Sequence, residues 1–112
     1  MIYQGSIQKL PIADSSIDLI FTDPPYPKKY LPCYEWLASE AMRVLKPNGF
    51  ILTMCGGLYL NKIFRYFDDS GLDYFFEFQH KSNADSPTVW KHYKDKNAYP
   101  IVARSKPILV YC

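Results

Sequence analysis

Apolar and polar positions along the chain change period several times, and each change marks an element. Ile17 to Phe21, reading Ile-Asp-Leu-Ile-Phe, lies between Asp14-Ser15-Ser16 and Thr22-Asp23-Pro24-Pro25. A short apolar run between turn formers predicts a buried strand, and two prolines without amide donors oblige its ladder to stop. From Tyr34 onward, Tyr34, Leu37, Ala38, Ala41, Met42 and Leu45 keep the spacing of a helix with one buried face, while Glu35, Ser39, Glu40, Arg43 and Lys46 fall on the other. Pro47-Asn48-Gly49 breaks that helix, and Phe50 to Cys55 reads as a second apolar strand. Gly56-Gly57 opens a second helix, with Leu60, Ile63, Phe64 and Phe67 on one face and Asp68-Asp69-Ser70-Gly71 as its stop. Leu72, Tyr74, Phe76 and Phe78 then alternate with more polar residues, the period of a third strand, and this stripe reads as core. Residues 82–105 are polar, contain Pro87 and Pro100 and show no period, as a long loop would. Ile108-Leu109-Val110 within Pro107 to Tyr111 makes a fourth strand, and Met1 to Gln8 suits a strand fragment followed by a loop.

Two successive strand-then-helix units predict an α/β sheet, mostly parallel, with crossover helices, its last two strands forming an antiparallel edge hairpin. With 112 residues, the whole of 1–112 fits one domain. Hydrophobic residues at 48% and charged residues at 21% are ordinary for a folded protein and exclude disordered and fibrous classes. The net charge of +2 lacks the dense Lys/Arg stripe of a strong stand-alone nucleic-acid binder, so any nucleic-acid contact is local or shared. Cys33, Cys55 and Cys112 are far apart and form no C-x-x-C pair, while His80 and His92 lack companions at ligand spacing. These features point to reduced thiols in a cytoplasm and to no metal site. No apolar run reaches the roughly 20 residues that span a bilayer.

The candidate chemistry lies where the first strand stops. Ligands of open α/β sheets sit beyond the carboxyl ends of parallel strands, the position of Asp23-Pro24-Pro25-Tyr26. The prolines fix the backbone, so the Asp23 carboxylate and the Pro24 carbonyl form a pair of acceptors suited to an exocyclic NH2 group. Accepting both amine hydrogens would draw the nitrogen lone pair out of conjugation and aim it at an electrophilic methyl group. Tyr26 adds a flat ring on which a flipped base can stack, and Lys28 and Lys29 follow where a flanking phosphate could be met. The plainer alternative is a rigid turn with Asp23 capping backbone amides and two solvated lysines. Tyr34 and Trp36 read as packing residues at a helix start. Lys81, Lys91, Lys94 and Lys96, interleaved with Trp90, Tyr93 and Tyr99, suit either a basic aromatic loop that contacts the target or a solvated one.

Three stretches, LPIADSSIDLIFTDPPY from Leu10 to Tyr26, AMRVLKPNGFIL from Ala41 to Leu52 and KPILVY from Lys106 to Tyr111, resemble the amino-group DNA methyltransferases that use S-adenosylmethionine, in order and approximate spacing. The resemblance implies a Rossmann-like methyltransferase sheet. It implies that Asp23, Pro24 and Pro25 with Tyr26 form the catalytic turn, that Asp23 and, more weakly, Ser6 lie at the cofactor, and that transfer proceeds without a covalent enzyme intermediate. Asp as the first residue of the tetrapeptide leans toward adenine-N6; cytosine-N4 in DNA, or an amino group in RNA or protein, is the alternative. The sequence departs from the family in having no Phe-x-Gly-x-Gly turn after a strand, and Gly56-Gly57 does not match one. The expectation is therefore a catalytic half, from a bacterium, an archaeon or a phage, with a cofactor-binding half on another chain, or else a catalytically silent binding module.

Overall fold

The computed structural model describes residues 10–81, 88–90, 101–103 and 105–112. Its elements run β1 (Ile17–Thr22), α1 (Leu31–Val44), β2 (Leu45–Met54), α2 (Leu60–Ser70), β3 (Tyr74–Lys81), β4 (Thr88–Trp90), β5 (Ile101–Ala103) and β6 (Ser105–Tyr111). Short 3-10 turns at Lys28–Tyr30 and Gly57–Tyr59 lead into the two helices. Four strands form one sheet in the order β1-β2-β6-β3. β1 and β2 are parallel, and β6 is antiparallel to both β2 and β3, so β3 runs the same way as β1 and β2. The expected α/β sheet with crossover helices and an antiparallel β3–β6 pair is present, with β3 at the edge and β6, the last strand of the chain, inside.

Helix α1 begins at Leu31, three residues before the first residue of the periodic pattern. Pro32 does not prevent this, because a proline in the first turn lacks only an amide that has no helical partner anyway. Helix α2 ends on Gly71, whose φ of 92° suits a residue without a Cβ and whose amide donates to the Asp68 carbonyl at 3.3 Å. Strand β2 starts at Leu45, earlier than the Pro47-Asn48-Gly49 break suggests. Ile17 pairs with Leu45 and Leu19 already with Phe50, so the proline segment bulges between two ladder positions instead of ending the strand. Strand β3 starts at Tyr74 rather than Leu72.

The core lies between the helices and one face of the sheet. Tyr34, Ala38 and Ala41 of α1 and Ile63 and Phe67 of α2 pack on Ile51, Leu109 and Tyr111, with Phe67 and Tyr111 rings stacked at 4.7 Å. The polar flank assigned to α1 is corrected at two positions. Glu40 is buried and accepts from the Leu10 amide at 3.1 Å. Arg43 donates to that carboxylate at 3.0 Å, to the Ile12 carbonyl at 2.7 Å and to Asp14 at 2.5 Å. With the Ser15 and Ser16 amides donating to the Arg43 and Val44 carbonyls, these bonds fasten residues 10–16 to the helix and fix where β1 begins.

No helix among the described residues lies over the other face. Residues alternate faces along a strand, and Leu19, Phe21, Phe50, Phe76 and Phe78 fall opposite the helices by the register. Phe21 is 64% and Phe78 48% exposed. The reading of Tyr74, Phe76 and Phe78 as a buried stripe is therefore overturned: a register shift after Tyr74 sends that residue to the helix side, against Phe64 and Tyr111, and Phe76 and Phe78 to the open side. Period two reports alternation between faces but not what covers each.

Within residues 82–105, β4 and β5 pair antiparallel with Val89 opposite Val102, so this stretch holds a short ladder where a loop was expected. Ser6, His92, Lys91, Lys94, Lys96, Tyr93 and Tyr99 lie outside the described residues. No helix among the described residues is long and apolar enough to cross a membrane.

Candidate active site

Because β1 and β2 are parallel neighbours, their carboxyl ends open side by side, and the chain leaves them through Asp23–Tyr26 and Cys55–Gly56. The two prolines stop the β1 ladder at Thr22, as expected from a chain with no amide to donate. Asp23 and Pro25 are exposed, Pro24 and Tyr26 half-buried. The Tyr26 hydroxyl donates to Asp23 Oδ1 in a short hydrogen bond. This ties the Tyr26 ring and the Asp23 carboxylate into one unit and leaves the carboxylate further lone pairs for a second donor. Burial first, and then this bond to a carboxylate, push the Tyr26 hydroxyl well above its ordinary pKa and keep it a donor.

Behind the turn stands Tyr34. It is 1% exposed, and its hydroxyl lies 3.3 Å from both the Pro24 and the Met54 carbonyl. One proton is thus shared between acceptors at the ends of two adjacent strands. Burial, the largest cause, again raises the pKa and holds the phenol neutral. Sequence reading took Tyr34 as packing only. The available signal was that a tyrosine on a buried helix face needs a partner for its hydroxyl.

The Cys55 amide donates to the Pro107 carbonyl at 3.2 Å, which joins the end of β2 to β6, and burial pushes the thiol up to about 12. A Cβ on Gly56 would stand 3.3 Å from Tyr26 Cβ, so glycine here permits the close approach of the Tyr26 turn to the end of β2. Lys106, preceding Pro107, places its ammonium 4.6 Å from the Tyr26 ring centroid. It opens the stretch KPILVY, where the sequence alone assigns it no role. Lys28 and Lys29 stand exposed on the turn before α1, Lys29 4.9 Å from the Tyr30 ring. The structure therefore brings together Asp23, Pro24 and Tyr26 with Tyr34, Gly56 and Lys106. No group of three metal-ligating side chains occurs among the described residues.

This arrangement, an α/β sheet with acceptors and an aromatic ring at the ends of its parallel strands, can be set beside known proteins. The chain is 39% identical over 69 residues to the type II methyltransferase M.HpaI of Haemophilus parainfluenzae, a match covering 48% of this chain and 22% of M.HpaI. It shares its fold with M1.HpyAVI in complex with SAM, at a TM-score of 0.59 and 20% identity over 86% of this chain and 44% of that one. It shares it also with TTHA0409 of Thermus thermophilus, a candidate DNA modification methylase, complexed with S-adenosyl-L-methionine, at a TM-score of 0.67 and 17% identity over 90% of this chain and 49% of that one. No protein-family model matches the chain. The resemblance to the DNA methyltransferases is borne out in sequence by M.HpaI and in fold by the solved structures. The chain spans about a fifth of M.HpaI and just under half of the solved relatives.

Proposed function

We propose that this chain is the target-binding half of an S-adenosylmethionine-dependent DNA methyltransferase that modifies the exocyclic N6 of adenine. The observation that carries the reading is the Asp23–Tyr26 turn at the joined ends of β1 and β2, with a carboxylate, a fixed carbonyl and an aromatic ring in four consecutive residues. The target amine donates one hydrogen to Asp23 and one to the Pro24 carbonyl, and its lone pair is thereby freed from the ring. Tyr26 supports the base, a contact worth on the order of 1–3 kcal/mol. Lys28 and Lys29 serve the flanking phosphates, Pro25 stiffens the turn, and Asp23 also faces the cofactor.

S-adenosylmethionine supplies the electrophilic methyl group. The residues present fit the target side better than the cofactor side: the sequence has no glycine-rich turn after a strand, and among the described residues β1 is an edge of the sheet. The reading therefore includes a cofactor-binding half outside this chain's described residues. The apolar sheet face that no helix among the described residues covers supports it, since a contiguous exposed apolar surface marks a place where further protein packs.

The test is transfer of labelled methyl from S-adenosylmethionine to unmethylated DNA by the chain together with a cofactor-binding methyltransferase half, with the product nucleoside identified by mass spectrometry and Asp23→Ala as control. N6-methyladenine formed by the parent chain and lost in the variant is the expected result. N4-methylcytosine would move the target, and label in RNA or protein would move the substrate class. A folded chain that transfers nothing, and binds DNA equally well with Asp23→Ala, would replace this reading by the catalytically silent module.

A further inference from the structure

We infer that Lys106 caps the base-stacking face of Tyr26 in the free protein, so that a target base enters by displacing a lysine. The inference deepens the reading of Tyr26 as a base platform and rests on it. Lys106 has its ammonium 4.6 Å from the Tyr26 ring centroid and makes no ion pair with any described residue, so the ring is its close partner. The ring is a good one for a cation. Its hydroxyl donates to the Asp23 carboxylate, which enriches the π face in electron density and so strengthens its attraction for positive charge.

Both ends of the contact are held by backbone. The carbonyl of Pro107, next to Lys106, accepts from the Cys55 amide at 3.2 Å, and Gly56 leaves room for the Tyr26 side chain 3.3 Å from where a Cβ would be. What can move is the flexible four-carbon stem of the lysine. A base stacked on Tyr26 and an ammonium centred over the same ring compete for one place. The site thus holds its own substitutes for the target: the Tyr26 hydroxyl on Asp23, and the Lys106 cation where the π face of a base belongs. Lys106 acts here as a positioning residue, setting how strongly a base must bind to open the platform.

The probe is adenosine, which offers a base and an amino group without a phosphate for a lysine to hold. It is titrated into the parent chain, Lys106→Met and Lys106→Arg, following the Tyr26 ring resonances. Losing a half-buried cation–π contact tightens adenosine binding about two- to fivefold in Lys106→Met, while Lys106→Arg, which keeps the cation, binds like the parent. Equal or weaker binding by Lys106→Met overturns the inference, and it makes Lys106 a ligand contact if the binding is weaker. A double-mutant cycle of Lys106→Met with Tyr26→Leu, read from chemical unfolding, tests the cap without any ligand, and zero coupling also overturns it. Measurable coupling with no adenosine binding by any form removes base displacement and with it the platform reading of Tyr26. Methyl transfer that persists alongside zero coupling leaves the proposed function standing and sinks only the cap.

Discussion

The two faces of the sheet carry equally apolar residues and meet different fates. On one, Ile51, Leu109 and Tyr111 are fully buried under α1 and α2; on the other, Phe21, Phe76 and Phe78 from the same or neighbouring strands stand open. The alternation in sequence is the same, and what differs is the supply of helices. Both crossovers, β1-α1-β2 and β2-α2-β3, land on one face, because a right-handed crossover from one parallel strand to the next on the same side of the starting strand always falls on the same side of the sheet. Two crossovers in one direction therefore put both described helices on one face and none on the other. The covered face also carries the site's support, for Tyr34 reaches from its core to the Pro24 carbonyl.

Three substitutions sharpen this contrast. The largest effect is expected for Phe67→Ala, which empties a fully buried site stacked on Tyr111. Chemical denaturation should register a loss of about 3–5 kcal/mol, and a loss below about 1 kcal/mol would mean that the covered face is not a packed core.

Tyr34→Phe comes next. It keeps the ring and removes the one hydroxyl shared by the Pro24 and Met54 carbonyls, so stability should fall by about 1–3 kcal/mol. Because the ends of β1 and β2 lose their common donor, amide exchange should quicken at Cys55 and Tyr26 more than at Phe67. Uniform quickening would show that the hydroxyl stabilises the whole domain rather than the site.

The smallest effect belongs to the bare face. Phe21→Lys, at a residue 64% exposed, should leave unfolding unchanged within about 0.5 kcal/mol. A penalty above about 2 kcal/mol would mean that this face is packed in solution and that the contrast between the faces does not hold.

Much of the site was legible in the sequence because its determinants are local. Asp23, Pro24, Pro25 and Tyr26 are consecutive, the prolines end the strand through their own chemistry, and a strand end is where such a turn meets ligands. Tyr34 and Lys106 escaped notice because their roles depend on contacts 10 and 80 residues away along the chain. Glu40 and Arg43 were misread for a related reason. Helical spacing put them on a polar flank, whereas the Leu10–Asp14 segment folds back over that flank and uses both charges.

The sequence by itself determined the kinds and order of the elements from β1 to β3 and the place where β1 stops, because apolar period, proline and glycine act within a few residues. The tertiary structure alone decided three things. It threaded β6 between β2 and β3, it set Lys106 over Tyr26, and it left Phe76 and Phe78 open while burying Tyr111. Each of these depends on which strands become neighbours and which face receives the helices, and pairing between distant segments is not encoded in the period of either one.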